Sequence, residues 1–168
     1  MENKLYNGRL IRVHSGKYVD VFDPTEEMID IEDIAHGLAN KCRFGGHTKE
    51  FYTVAQHSIN ALGLVNREYK LAALLHDAAE AYISDIPTPI KRELQQYCDI
   101  EDNLIKLIAK KFKIEYPFHH SIKSADRICL EWEWQNYVLG DKIVVDLKPL
   151  TNTAAKAEFL RYFNIYNI

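Results

Sequence analysis

The stretch ALLHDAAEAYISDIPTPIK, Ala73 to Lys91, decides how the chain is read. Leu71, Leu74, Leu75, Ala78 and Tyr82 recur at helical spacing and mark one apolar stripe, the side that packs a core. At about 100° per residue, Glu80 falls opposite that stripe, with His76 and Asp77 flanking it and the small Ala73 beneath. A solvated helix face is the ordinary explanation for such residues, and two features count against it. Residues 71–84 contain no Lys or Arg, so the acids lack the usual partners one turn away. The neighbouring Ala and Leu also describe a helix covered on most sides, where an unpaired carboxylate is too costly to bury. These acids call for a cation or for protons.

Working outward, the chain has the organisation of one domain, 1–168, with no repeat, low-complexity tract or Gly/Ser linker. Leu10–Val13 and Tyr18–Phe22 alternate around Ser15-Gly16 and predict a hairpin over about 9–23, closed by Asp23-Pro24. A helical core over about 31–139 follows. It starts with a short helix, Ile31–Lys41, and a tight loop at Gly45-Gly46. Thr53 and Gln56 have the form of a capping box opening a helix that carries Val54, Ala61 and Val65. Asn66 is placed to cap a helix from Glu68 to about Ile83, which stops before Pro87 and Pro89. Further helices are expected over Ile100–Phe112, Ser121–Leu139 and Thr153–Phe163, the last lying within about 151–164; KIVVDLKP between them reads as a strand or an extended linker. The fold class is all-α, a helical bundle with a small N-terminal β-hairpin.

Composition excludes several function classes. With 47% hydrophobic and 27% charged residues the chain has the balance of a globular protein. Its net charge of −3, with Lys and Arg scattered, argues against an extended nucleic-acid surface. Cys42, Cys98 and Cys129 are odd in number and far apart, which suits neither a disulfide framework nor a thiolate zinc site. No apolar signal core opens the sequence and no apolar run approaches bilayer length. A soluble cytoplasmic protein without a membrane partner is the expectation.

Two more ionisable residues point inward. His57 stands beside the stripe of Val54, Ala61 and Leu64, and Asp126 at the edge of the Ile122, Ala125 and Cys129 stripe. Taken alone, His57 reads as a satisfied core histidine and Asp126 as half of an ion pair. Together, His57, His76, Asp77 and Asp126 form a nitrogen and oxygen donor set without thiolate. Such a set suits one divalent ion of borderline or hard character, Mn, Co, Fe, Ni, Zn or Mg. It also leaves coordination positions open for water and substrate.

In the order H…HD…D, these residues resemble the signature of the HD-domain metal-dependent phosphohydrolases. HDAAEAYISDIPTPIK is similar to the segment of the small HD-domain 5′-deoxynucleotidases in which a Glu and then an Asp precede a Pro-Thr-Pro-like run. YTVAQHS resembles their first-histidine motif, KSADR their last-aspartate motif, and CRFGGH their Arg-aromatic motif. Small phage HD-domain nucleotide hydrolases look similar too. The likeness covers about Arg43–Glu133.

By position, the resemblance implies His57, His76, Asp77 and Asp126 as metal ligands. It implies Glu80 to orient or deprotonate the attacking water, and Asp85 to protonate the leaving oxygen or contact the sugar. Arg43 would bind phosphate through its planar fork, with Lys91 as a second contact. Phe44, where the nucleotidases often carry Trp, would stack on base or sugar. His47 has a place at the site mouth, His119 and His120 read as helix-start residues, Trp132 as core and Trp134 as surface or subunit contact.

The implied activity is hydrolysis of deoxynucleoside 5′-monophosphates to deoxynucleoside and phosphate, with the nucleotide as the partner; the resemblance also leaves room for a homo-oligomer. The closest alternative releases triphosphate from deoxynucleoside triphosphates. The few cations, Arg43, Lys91, Lys123 and Arg127, mildly favour the smaller substrate. Alarmone hydrolases would show Glu-Asp after the HD pair and cyclic-dinucleotide hydrolases Gly-Tyr-Pro, and neither is present. A non-catalytic metal- or nucleotide-binding module is the reading from another class, and it is disfavoured because every implied ligand and Glu80 are in place.

Overall fold

Alternating N-terminal residues build a small antiparallel sheet in the computed structural model, which describes residues 6–141 and 148–167. Its strands are β1 (Tyr6–Asn7), β2 (Leu10–Arg12) and β3 (Tyr18–Val19), lying in that order with Ile11 opposite Val19 and Arg12 opposite Tyr18. The expected hairpin is present and gains a strand, because Gly8 at φ +64° turns the chain between β1 and β2. β3 stops at Val19 rather than Phe22. Beyond it the Asp20 carboxylate accepts from Phe22 N–H at 3.0 Å and folds the chain into a turn. Ser15 pins the hairpin to the helices, donating from N–H and Oγ to buried Asp33 at 2.6 and 2.7 Å.

Asp33 lies on α1 (Ile31–Ala39), which Asp30 caps by accepting from Glu32 N–H. Central to the bundle is α2 (Val54–Gly63), packed against α1, α3 (Lys70–Leu75), α7 (His120–Glu133) and α8 (Asn152–Tyr166). Val54, Ala61 and Val65 are buried, as their spacing predicts, together with Leu74, Leu75, Phe159 and Phe163 in one apolar cluster. Thr53 Oγ1 accepts from Gln56 N–H at 3.0 Å. The reciprocal half of the capping box is not made. Buried Gln56 instead uses its amide on Lys148 O and Leu150 N–H, fastening the segment that leads into α8.

The single helix expected over Glu68–Ile83 is divided. A 3-10 turn at Arg67–Tyr69 precedes α3, and Asn66 makes no side-chain cap. After α3 comes a tight turn and then α4 (Glu80–Ile83). His76 Nδ1 donates to Ala73 O at 2.7 Å, occupying the carbonyl that a regular α-helix offers to the Asp77 N–H. The N–H groups that follow bond three residues back, Ala78 to Leu75, Glu80 to Asp77 and Ala81 to Ala78. So the His-Asp pair stands on a tightened turn.

α1 crosses α4 closely. A Cβ on Gly37 would meet Ala81 O at 2.9 Å, and Lys41 Nζ donates to the carbonyls of Glu80 and Ala81. α5 (Thr88–Lys91) and α6 (Gln95–Lys111) follow the prolines, α6 starting ahead of the expected Ile100. The long helix predicted to Leu139 is α-helical only to Glu133 and then widens into a π-helix, Trp134–Leu139. The wider turn carries Tyr137 inward onto Tyr52, with ring centroids 4.4 Å apart. Trp132, expected in the core, is only half-buried and lines a groove, while Trp134 is exposed as expected. His119 caps α7 by accepting from Ser121 N–H, in keeping with its helix-start reading. Most of KIVVDLKP, residues 142–147, lies outside the described residues. Among the described residues no helix is long and apolar enough to cross a membrane.

Candidate metal centre

His57 is fully buried on α2, and the chain before α2 explains how Arg43 comes to lie beside it. Residues 41–43 run antiparallel to 52–54, bonding Arg43 N–H to Tyr52 O at 2.9 Å and Val54 N–H to Lys41 O at 3.0 Å. The chain then reverses through Phe44, Gly45 and Gly46 at φ +55°, +59° and +82°. Glycine adopts that backbone freely, whereas Phe44 does so under strain.

Four predicted residues converge. His57 Nε2 lies 3.3 Å from His76 Nε2 and 3.1 Å from Asp126 Oδ1, and His76 Nε2 lies 4.0 Å from the same oxygen. Donor atoms of His57, His76 and Asp126 all fall within 4.8 Å of one another, so this group could hold a metal ion. Asp77 Oδ2 stands 3.6 Å from His57 Nε2 and 3.3 Å from His76 Nε2, though Asp77 is outside that mutually close set. Both imidazoles are oriented from behind. His57 Nδ1 meets Glu133 Oε1 at 2.6 Å and His76 Nδ1 meets Ala73 O, which turns both Nε2 atoms to one point. Metal-binding histidines are held in this way, by a carboxylate or a backbone carbonyl on the far nitrogen. The donor chemistry therefore fits a divalent ion.

The electrostatics agree with a site built for positive charge. Burial and the nearby Arg43 oppose protonation of His57, but Glu133 and Asp126 outweigh them and raise its pKa to about 9. Burial would raise Asp126, yet the hydrogen bond from His57 and the charge of His76 bring it down to about 2. Glu80 is 5% exposed; burial and then the charges of Asp77 and Asp85 hold its pKa well above the carboxylate range. Among the described residues its Oε2 is the one buried side-chain polar atom without a hydrogen-bond partner. Asp85 is raised too, by burial foremost and by Asp77.

Arg43 is 8% exposed and spends one edge on Glu133 Oε2, 3.2 Å from Nε and 3.1 Å from Nη2. Its Nη1 lies 3.7 Å from Asp77 Oδ2. Lys91 is 2.5 Å from Glu101 Oε2 and 5.6 Å from the Tyr97 ring centroid. A cavity of about 980 Å³ opens beside Arg43 and Asp85, walled by Phe44, Trp132, Trp134 and Pro87, with His47 at its lining. Phe44 continues the line from the cluster, 5.7 Å from the Arg43 guanidinium and 6.2 Å from Trp134. Of the remaining cations, Lys123 is exposed and Arg127 is exposed on Glu131.

Sequence reasoning missed Glu133, Tyr52, Tyr97 and Glu101. For Glu133 a signal existed: it follows Asp126 by seven residues, about two helical turns, and so shares its flank of α7. Tyr52, Tyr97 and Glu101 carried no comparable mark, since none shares a helix with a predicted site residue.

Fold and cluster together define a helical protein in which buried His57 and half-buried His76 and Asp126 could hold a metal ion. No protein-family model matches the chain. It is similar to the uncharacterized protein YfdR of Escherichia coli (strain K12), 40% identical over 131 residues that span 78% of this chain and 74% of YfdR. It is also similar to the uncharacterized protein RCAP_rcc00048 of Rhodobacter capsulatus, 36% identical over 136 residues, 73% of this chain and 69% of that protein. The chain belongs to the family of these two proteins.

Proposed function

We propose that the protein is an HD-domain phosphohydrolase that cleaves deoxynucleoside 5′-monophosphates to deoxynucleoside and phosphate, using one divalent metal ion. The observation that carries this reading is the pair of inward Nε2 atoms, 3.3 Å apart and each fixed from behind, beside a buried guanidinium and a cavity of ligand size. His57, His76, Asp77 and Asp126 would hold the ion, which when bound supplies an activated water and neutralises phosphoryl charge.

The remaining steps belong to the chain's own side chains. Glu80, whose pKa burial and the charges of Asp77 and Asp85 raise, would accept the proton of the attacking water once its own carboxyl proton has passed to solvent. Arg43, whose Nη1 lies 3.7 Å from Asp77 Oδ2, would offer that nitrogen to the phosphoryl oxygens. Asp85, whose pKa is raised foremost by burial, would pass a proton to the departing 5′ oxygen. Phe44 and Trp134 offer aromatic faces to the base or sugar. Lys91 is engaged by Glu101 and reaches phosphate only by leaving that partner.

The lining of the cavity favours the monophosphate over the triphosphate. Arg43 is its one full cation among the described residues, too little charge for a triphosphate tail. The test is metal-stripped protein reloaded with Co, Mn or Zn and assayed against deoxy- and ribonucleotides. Orthophosphate from monophosphates supports the reading. Release of triphosphate transfers it to the rival, and no turnover with any metal transfers it to a binding module.

A further inference from the structure

We propose that Glu133 is a positioning residue that sets the metal-facing histidine and the anion-facing arginine together, through one buried carboxylate. The inference rests on the reading above in taking His57 as a metal-facing group. Glu133 is 2% exposed and surrounded by donors. Oε1 accepts from His57 Nδ1 at 2.6 Å and from Tyr52 OH at 2.9 Å; Oε2 accepts from Arg43 Nε and Nη2 at 3.2 and 3.1 Å. Asn60 Nδ2 donates to the Tyr52 oxygen at 2.8 Å, which leaves the Tyr52 proton for Glu133.

A buried charge pair is no stabilising device in itself, because desolvation offsets its attraction. What distinguishes Glu133 is which atoms it leaves available. With Nδ1–H committed, His57 has only Nε2 to turn toward His76 and Asp126. With Nε and Nη2 committed, Arg43 has Nη1 to present beside Asp77. The donor atom of one site and the cation of the other are thus chosen by the two oxygens of the same side chain.

All the contacts are donors, so a carboxylate satisfies them and an amide of the same shape cannot. Glu133→Gln must aim its NH₂ either at Arg43 or at His57 and Tyr52. The test titrates wild type and Glu133→Gln with Co(II) or Zn(II) alone, with circular dichroism to check the fold. Metal affinity is expected to fall about 10- to 100-fold in the variant. In the Zn(II)-loaded wild type, histidine ¹⁵N spectra are expected to show His57 ligated through Nε2, with a slowly exchanging Nδ1 proton. That measurement decides the matter if the variant does not fold.

Metal affinity within twofold of wild type in folded Glu133→Gln, or ligation of His57 through Nδ1, overturns the proposal while leaving the metal centre intact. Absence of metal binding by the wild type overturns the centre and the proposal together.

Discussion

Asp126 and Glu133, on one flank of α7, grip opposite nitrogens of the same imidazole: Asp126 Oδ1 lies 3.1 Å from His57 Nε2 and Glu133 Oε1 lies 2.6 Å from Nδ1. An imidazole between two carboxylates is held as imidazolium, in keeping with its pKa of about 9.

That relationship has a pH signature. A metal ion must displace the Nε2 proton, so uptake below about pH 9 releases a proton and affinity climbs with pH. Calorimetric titration in buffers of different ionisation enthalpy reads the released proton; heats independent of the buffer at pH 7 would contradict it. The metal-free protein carries the mirror effect. The folded pKa lies above the ordinary 6.5, so this stabilisation is complete below about pH 6.5 and is lost as pH rises through about 9. Urea midpoints measured with a chelator should decline across that window.

Asp77→Ala removes the carboxylate that lies 3.3 Å from His76 Nε2. Metal affinity is expected to fall about tenfold or more, with turnover lost beside it. Full metal binding and full turnover in this variant would dismiss the assignment of the cluster.

Glu80→Gln replaces a buried carboxyl, whose pKa burial and its acidic neighbours raise, by a neutral group of its own shape. Melting temperature should hardly move, whereas turnover should drop about 10²- to 10⁴-fold as the proposed proton acceptor is lost. A variant with wild-type turnover would remove Glu80 from the chemistry.

Ser84 precedes Asp85 in a backbone region that suits glycine, φ +74° and ψ 152°, and Tyr97 OH holds its carbonyl at 2.5 Å. Ser84→Gly relieves strain of about 1–3 kcal/mol and gains unfolded-chain entropy of about 0.4–1 kcal/mol. Net stabilisation on the order of 1 kcal/mol is expected from urea unfolding. A destabilised variant would show that the turn is not strained.

Trp134→Ala removes an aromatic wall that is 46% exposed and faces Phe44. KM for the nucleotide should rise about tenfold, the scale of one lost stacking contact, with metal affinity unchanged. An unchanged KM for every base would place substrate elsewhere in the groove.

Much of the fold was legible because the apolar residues repeat at the periods of their elements: Val54, Ala61 and Val65 mark α2, and Leu74 and Leu75 mark α3. The four converging residues were legible because charge without a local partner on a covered helix is costly, and because their spacing resembles a known signature. What the one-dimensional pattern hid was the hydrogen bond from a side chain to its own helix. The His76 contact to Ala73 O divides the predicted helix, and the commitment of Gln56 to Lys148 O and Leu150 N–H undoes its cap. Both depend on rotamers and on distant chain segments. The widened turn after Glu133 was hidden likewise, since its sequence continues a plausible α-helical pattern.

Gly37 carries no chemistry, yet α1 approaches Ala81 closely only because position 37 lacks a side chain. Ala81 follows Glu80 directly, so the clearance of one hydrogen atom at that crossing gauges where the carboxyl stands. Substitution at Gly37 would act as a shim between two helices, detuning the site from a position that no inventory of functional groups would include.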